Sequence, residues 1–150
     1  MRVSPAWPAV LAMAALIAAA CSEEGDKEGK GAVAVGQVAS VACPSQATAV
    51  KLPAGWSVPL PAGSVPVDVR HSTNGRVIVT SVVPQSESDV LKAMQKAFAS
   101  AGLKLTEGET EEHDAESNFT GNGLTGRWGI RELSGCNGPA TRIDMVVRSS

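Results

Sequence analysis

An α+β fold is what this sequence predicts: one antiparallel sheet of about five to six strands, with a single helix on one face. Three observations carry it. Short β-branched or alternating stretches recur through residues 67–83 and 103–148. Two Asn-Gly pairs, Asn74-Gly75 and Asn122-Gly123, fall between such stretches and favour tight hairpins. Only residues 87–101 combine helical spacing with end signals. The order is therefore β-β-α-β-β-β-β, with consecutive strands antiparallel because their connections are short.

Taken in order, Ala47 to Leu52 is a weak strand candidate. Pro53, Pro59, Pro61 and Pro66 bar regular pairing across 53–66, which reads as an ordered loop with Trp56 packed in it. Val67-Asp68-Val69-Arg70 alternates as a strand. Arg76 to Val83 is apolar on both faces, as a central strand is.

The helix opens at Ser86, with Asp89 three residues on in a shortened capping box, and Gly102 closes it with a left-handed cap. Val90, Met94, Ala97, Phe98 and Ala101 form one stripe, with Lys92, Gln95, Lys96 and Ser100 opposite. The stripe is read as core.

Strands follow at 103–106, 115–120, 124–133 and 142–148. Trp128 and Ile130 share one face of the fifth, with Arg127 and Arg131 on the other. In the last, Ile143, Met145 and Val147 point inward, and Arg142, Asp144 and Arg148 outward. If Asn122-Gly123 is a two-residue turn, Asn118 lies opposite Arg127 and Ser117 opposite Trp128.

Upstream of this domain the composition changes twice. Arg2 gives a short positive start, and Val10 to Ala20 is apolar and Ala-rich. That run is short for a membrane span of ~20 residues and fits a signal peptide. Cys21 follows the small residues Ala18, Ala19 and Ala20, and directly precedes the polar Ser22-Glu23-Glu24-Gly25-Asp26-Lys27. This junction resembles the lipobox of bacterial lipoproteins. Ala18 stands where that pattern usually has Leu, with Leu16 and Ile17 displaced upstream. The resemblance implies cleavage before Cys21 and lipidation of its thiol with a diacylglycerol, with palmitate among the expected acyl groups. Ordinary cleavage after Ala20, leaving a free Cys21, is the alternative. Ser22 implies sorting to the outer membrane, facing the periplasm, if the envelope is Gram-negative.

Residues 22–36 are rich in Gly, Glu and Lys without periodicity, the composition of a flexible spacer. Ala32-Val33-Ala34-Val35 reads as tether or as a loose first strand. The expected organisation is a signal peptide at 1–20, lipidated cysteine and tether at 21–40, and one α+β domain at 41–150. The mature domain, with its Pro-rich entry, capped helix and antiparallel meander, looks like many small uncharacterised envelope lipoproteins, a likeness that carries no activity. It resembles, more loosely, the periplasmic lysozyme-inhibitor lipoproteins, whose sequence signatures are absent.

Of the three cysteines, Cys43 and Cys136 remain for the domain. In an exported protein they pair most simply as a disulfide. It would close a loop of roughly 90 residues and contribute up to about 4 kcal/mol in the chain-entropy model. Two free buried thiols are the alternative. The bond would run from the domain's entry to the last hairpin, taken as the far edge.

Residues 41–150 carry ten basic and eleven acidic side chains. With no Tyr and two Phe, neither a phosphate-neutralising face nor stacking platforms suggest nucleic acid. The acidic run Glu107 to Glu116 surrounds His113 and reads as a solvated hairpin tip; a cation site there lacks Gly-centred Ca²⁺-loop spacing. His113 with Glu109 or Glu111 is a weak metal candidate, and His71 reads as a partly buried sheet residue. No nucleophile elbow, Walker loop or dinucleotide motif is present, so catalytic residues, metal and cofactors are all predicted as none.

The densest candidate surface is Arg127, Arg131, Arg142 and Arg148, sharing the outer face with Asp144 and Glu116. It reads either as cross-strand ion pairing or as a patch for an anionic lipid head group or glycan. The expected function is a membrane-anchored, non-enzymatic binding or accessory lipoprotein of the cell envelope. The alternatives are an assembly subunit or inhibitor in an envelope protein complex, and an envelope hydrolase. An assembly role predicts an exposed apolar patch on the sheet face away from the helix, with Val77, Val79 and Val83 as the residues in question.

Overall fold

The computed structural model describes residues 41–150. The leader, Cys21, the spacer and the Ala32–Val35 patch lie outside the described residues. The domain is α+β: a six-stranded antiparallel sheet and one helix. Its elements are β1 (Val65–His71), β2 (Val77–Val83), α1 (Glu87–Ser100), β3 (Lys104–Thr110), β4 (Asp114–Gly121), β5 (Leu124–Glu132) and β6 (Thr141–Ser149). The spatial order is β1-β2-β6-β5-β4-β3. The last four strands form a meander, and β6 closes it onto β2 by the non-local pairs Val77↔Val147 to Val83↔Thr141.

Local chemistry sets the element ends. The Ser86 hydroxyl accepts the Asp89 N–H at 3.3 Å and donates to the Asp89 carboxylate at 2.7 Å, which satisfies one of the helix's free N-terminal donors. At the other end the Leu103 N–H bonds to Phe98 C=O and the Gly102 N–H to Ala99 C=O. Gly102 sits at φ 68°, the left-handed conformation this Schellman closure needs. Asn122 and Gly123 both have positive φ, and Gly121 pairs with Leu124, so β4 and β5 join through a two-residue turn of the mirror-image type. Asn122 also donates its side-chain amide to Ala101 C=O at 2.7 Å, covering the helix's C-terminal end.

Period-2 alternation then decides what each strand buries. Val83, Ile143, Met145, Val147, Trp128, Ile130, Ala115 and Phe119 pack with Val90, Met94 and Phe98 of α1 in one core. Phe98 lies at its centre, edge-on to Phe119 (centroids 5.0 Å) and to Trp128 (6.4 Å). Such edge-to-face contacts add to area burial. Beside the helix, Val58 is buried in the same core, and Trp56 and Leu60 pack against it. The Pro-rich loop thus extends the layer that one helix leaves short.

Several expectations are corrected. Residues 47–52 form no strand; the Val50 N–H bonds only to Pro66 C=O at 2.8 Å. Val65 and Pro66, assigned to the loop, open β1 instead. Its outer side needs no ladder donor, so an edge strand tolerates proline, and a bulge between Pro66 and Asp68 resets the register. The acidic run is the solvated end of the β3–β4 hairpin, as expected, but much of it is strand: Glu107 and Glu109 belong to β3, Asp114 and Glu116 to β4, and only residues 111–113 turn. Val77, Val79 and Val83 stand in register with Val147, Met145 and Thr141, on the face that carries α1, and Val79 and Val83 are buried. They make no exposed patch on the other face. Among the described residues Val50 is the only exposed large hydrophobic side chain.

Cys43 and Cys136 form a disulfide, with Cα atoms 5.6 Å apart and a sequence separation of 93. Cys136 lies in the β5–β6 connection, and those two strands are central in the sheet. The bond therefore ties the domain's entry to the middle of the sheet, not to its far edge.

Candidate functional site: the charged face of the sheet

The sheet face opposite α1 is where the structure brings the predicted arginines together. The strand registers arrange it in rungs across the sheet. One rung runs Asp68, Thr80, Asp144, Gly129, Glu116 and Glu109, and is acidic. The neighbouring rungs contribute Arg142, Arg131 and Asp114 on one side and Arg127 and Asn118 on the other. Asn118 lies opposite Arg127 and Ser117 opposite Trp128, as the two-residue turn requires.

Charges of opposite sign pair within a rung and between adjacent rungs. Arg127 bonds diagonally to Glu116. Arg131 reaches Asp114 at 3.0 Å. Arg70 reaches Asp68 at 2.8 Å, one rung along the same strand. Arg142 grips Asp144 with two nitrogens, at 2.7 and 2.8 Å, while the Thr80 hydroxyl donates to the same carboxylate at 2.7 Å. That group is the least exposed of the set, with side chains 17% and 20% accessible. Desolvation makes each of its hydrogen bonds matter more than a surface pair's. Arg148 donates to the Thr125 hydroxyl at 3.0 Å and has no carboxylate partner among the described residues. Gly129 leaves a gap in the middle: a Cβ built there meets nothing within 4 Å.

The face is thus a rigid, nearly neutral mosaic. Three of the four arginines singled out from sequence already hold carboxylates, so their field towards an anionic partner is largely cancelled at short range. Cross-strand ion pairing, one of the two readings of this cluster, describes what these side chains do.

The histidines lie elsewhere. His71 ends β1 and is exposed, not partly buried, because it falls where the strand leaves the sheet. His113 sits in the β3–β4 turn with its Nδ1 3.3 Å from Glu132, a residue sequence reasoning did not connect to it; Glu109 and Glu111 are not its partners. No group of three or more His, Cys, Asp or Glu among the described residues is arranged to hold a metal ion.

One further feature was not visible in the sequence. A shallow apolar depression lies between the C-terminal half of α1 and the start of β3, lined by Gln95, Ala99, Gly102, Leu103, Lys104 and Leu105. It borders β3, an end strand of the sheet, and forms only because the chain turns sharply at Gly102. No helix among the described residues is long and apolar enough to cross a membrane. No family model, no curated protein and no solved structure matches this chain.

Proposed function

We propose that this chain is a bacterial envelope lipoprotein of non-enzymatic, binding or accessory type. It is held to a membrane through a diacylglycerol on Cys21 and presents residues 41–150 as a rigid module beyond a spacer. If the envelope is Gram-negative, Ser22 sends it to the outer membrane, facing the periplasm. The observation that carries the reading is the Cys43–Cys136 disulfide. Such a bond persists in oxidising compartments outside the cytoplasm, which is where a lipobox-type leader would deliver the chain. The polar switch directly after Cys21 supports the same destination.

The test is fractionation with labelled palmitate in cells carrying the full-length gene. The wild-type protein should take up label and stay with the membrane, and Cys21→Ser should lose the label and move to the soluble fraction. Membrane retention of unlabelled Cys21→Ser protein would overturn the anchor.

Within this reading, a protein partner is favoured over capture of an anionic glycan or lipid, although the exposed apolar patch that an assembly role predicts at Val77, Val79 and Val83 is not formed. The arginines that would meet an anion are matched by Glu116, Asp114 and Asp144. The sheet instead leaves β3 open at its edge, beside an apolar depression. A hydrolytic role finds no support in His71 or His113, both exposed and away from each other in the fold.

A further inference from the structure

We propose that the edge of β3 is a docking site for an extended, basic peptide segment of a partner protein, which adds to the sheet as a seventh strand. This rests on the binding-module reading above and names the partner's chemistry.

The two ends of the sheet differ. At β1, Pro66 has no N–H to offer, and its carbonyl is already taken by Val50. At β3, no described residue pairs with the outer side, and every residue from Lys104 to Thr110 except Leu105 is exposed. An unpaired strand edge offers main-chain donors and acceptors to an incoming strand. Beside that edge lies the depression between Ala99 of α1 and Leu105 of β3, able to take one apolar side chain of the added strand.

Charge selects the occupant. On the open face Asp68, Asp114, Glu116 and Asp144 each hold an arginine. Along the β3 edge Glu107, Glu109 and Glu111 hold no cation within the described residues. Glu109 even stands directly opposite Glu116, a like-charge neighbour that costs stability. A second copy of β3 would bring glutamates against glutamates, so self-pairing is disfavoured and a lysine- or arginine-bearing strand is preferred. The expected peptide places one apolar residue at the Lys104–Leu105 end, on the α1 side, and its cations on the other side towards Glu109, which lies beyond the bulge between Leu105 and Gly108, about 10 Å along the added strand at 3.3 Å per residue.

The experiment titrates the full-length protein with a fluorescent nine-residue peptide, one leucine followed by alternating lysine and threonine, so that the lysines face away from the leucine's side of the strand, and with the same peptide carrying glutamate for lysine. Amide-shift mapping locates the contact. The lysine peptide should bind at least about tenfold more tightly than the glutamate peptide, with shifts at Ala99, Leu105, Gly108 and Thr110. The double change Glu107→Lys with Glu109→Lys, on exposed side chains that leave the core intact, should reverse that preference. Equal binding of both peptides, no binding of the lysine peptide, or shifts centred on Arg127 and Arg142 would overturn the proposal. None of these outcomes touches the palmitate result, so the site and the anchor fail separately.

Discussion

The two faces of this sheet are built from the same strands by alternate residues, and they are held by different physics. The face under α1 is a continuous apolar surface: Trp128, Met145, Ile143 and Val79 are each at most 2% exposed and stand side by side across three strands. The opposite face puts Arg127, Asp144, Thr80 and Arg142 one residue away along those strands. Burial on the first face scales with area removed from water, roughly 25 cal/mol per Å². Pairing on the second returns well under 1 kcal/mol for most exposed ion pairs. The comparison teaches that stability and presentation are divided between faces. The helix face fixes most of the fold, and the charged face is free to vary where its side chains are exposed; Thr80 and Val82, on that face, are fully buried and are not.

The largest expected effect follows from that division. Trp128→Ala should cost about 3–5 kcal/mol, since it empties a fully enclosed site beside Phe98. The adjacent Arg127→Ala should cost no more than about 1 kcal/mol, because its pair with Glu116 is half-exposed. Denaturant unfolding of both variants measures the ratio. A similar loss from both would mean that the charged face contributes to the core's cohesion.

Two glycines of β5 sharpen the same comparison. Gly126 points to the helix side, where a Cβ would strike the Phe119 ring and the Val146 carbonyl. Gly129 points to the charged side and would meet nothing. Gly126→Ala should therefore cost about 1–3 kcal/mol through strain, while Gly129→Ala should be neutral or slightly stabilising as it removes chain entropy from the unfolded state. Thermal midpoints moving downward for Gly126→Ala alone would bear this out. Equal shifts would place the ring of Phe119 elsewhere.

Much of this arrangement is legible in the residues. Alternation separates Trp128 and Ile130 from Arg127 and Arg131, and Asn122-Gly123 fixes which residues of β4 oppose them. The capping pattern at Ser86 and Gly102 bounds the helix to within a residue at its C-terminal end. What is not legible is non-local. Nothing near Val77 or Val147 encodes their pairing, which arises because β6 completes the cover over the helix. The burial of Val58 with Trp56 and Leu60 depends on a gap that the helix leaves, so proline content alone reads it as loop. Glu107 and Glu109 resemble a turn in composition, yet an edge strand accepts charge because its side chains remain in water. The depression beside Ala99 exists only once β3 is placed against α1.

The smallest effect concerns neighbouring hydroxyls on opposite faces of β2. Thr80 and Ser81 are both fully buried. The Thr80 hydroxyl donates to Asp144 in the Arg142 group, whereas the Ser81 hydroxyl has no partner. A hydrogen bond to a charged acceptor contributes about 1.5–3 kcal/mol, and a buried unpaired hydroxyl carries a desolvation cost. Thr80→Val keeps the shape and should lose roughly 1–2 kcal/mol, while Ser81→Ala should lose nothing or gain up to about 1 kcal/mol. The sign is the decisive part. Ser81 lies on the helix face, and removing its oxygen makes that face more wholly apolar. A clear loss of stability from Ser81→Ala would mean that its hydroxyl has a partner in solution, and that the apolar face is less uniform than its packing implies.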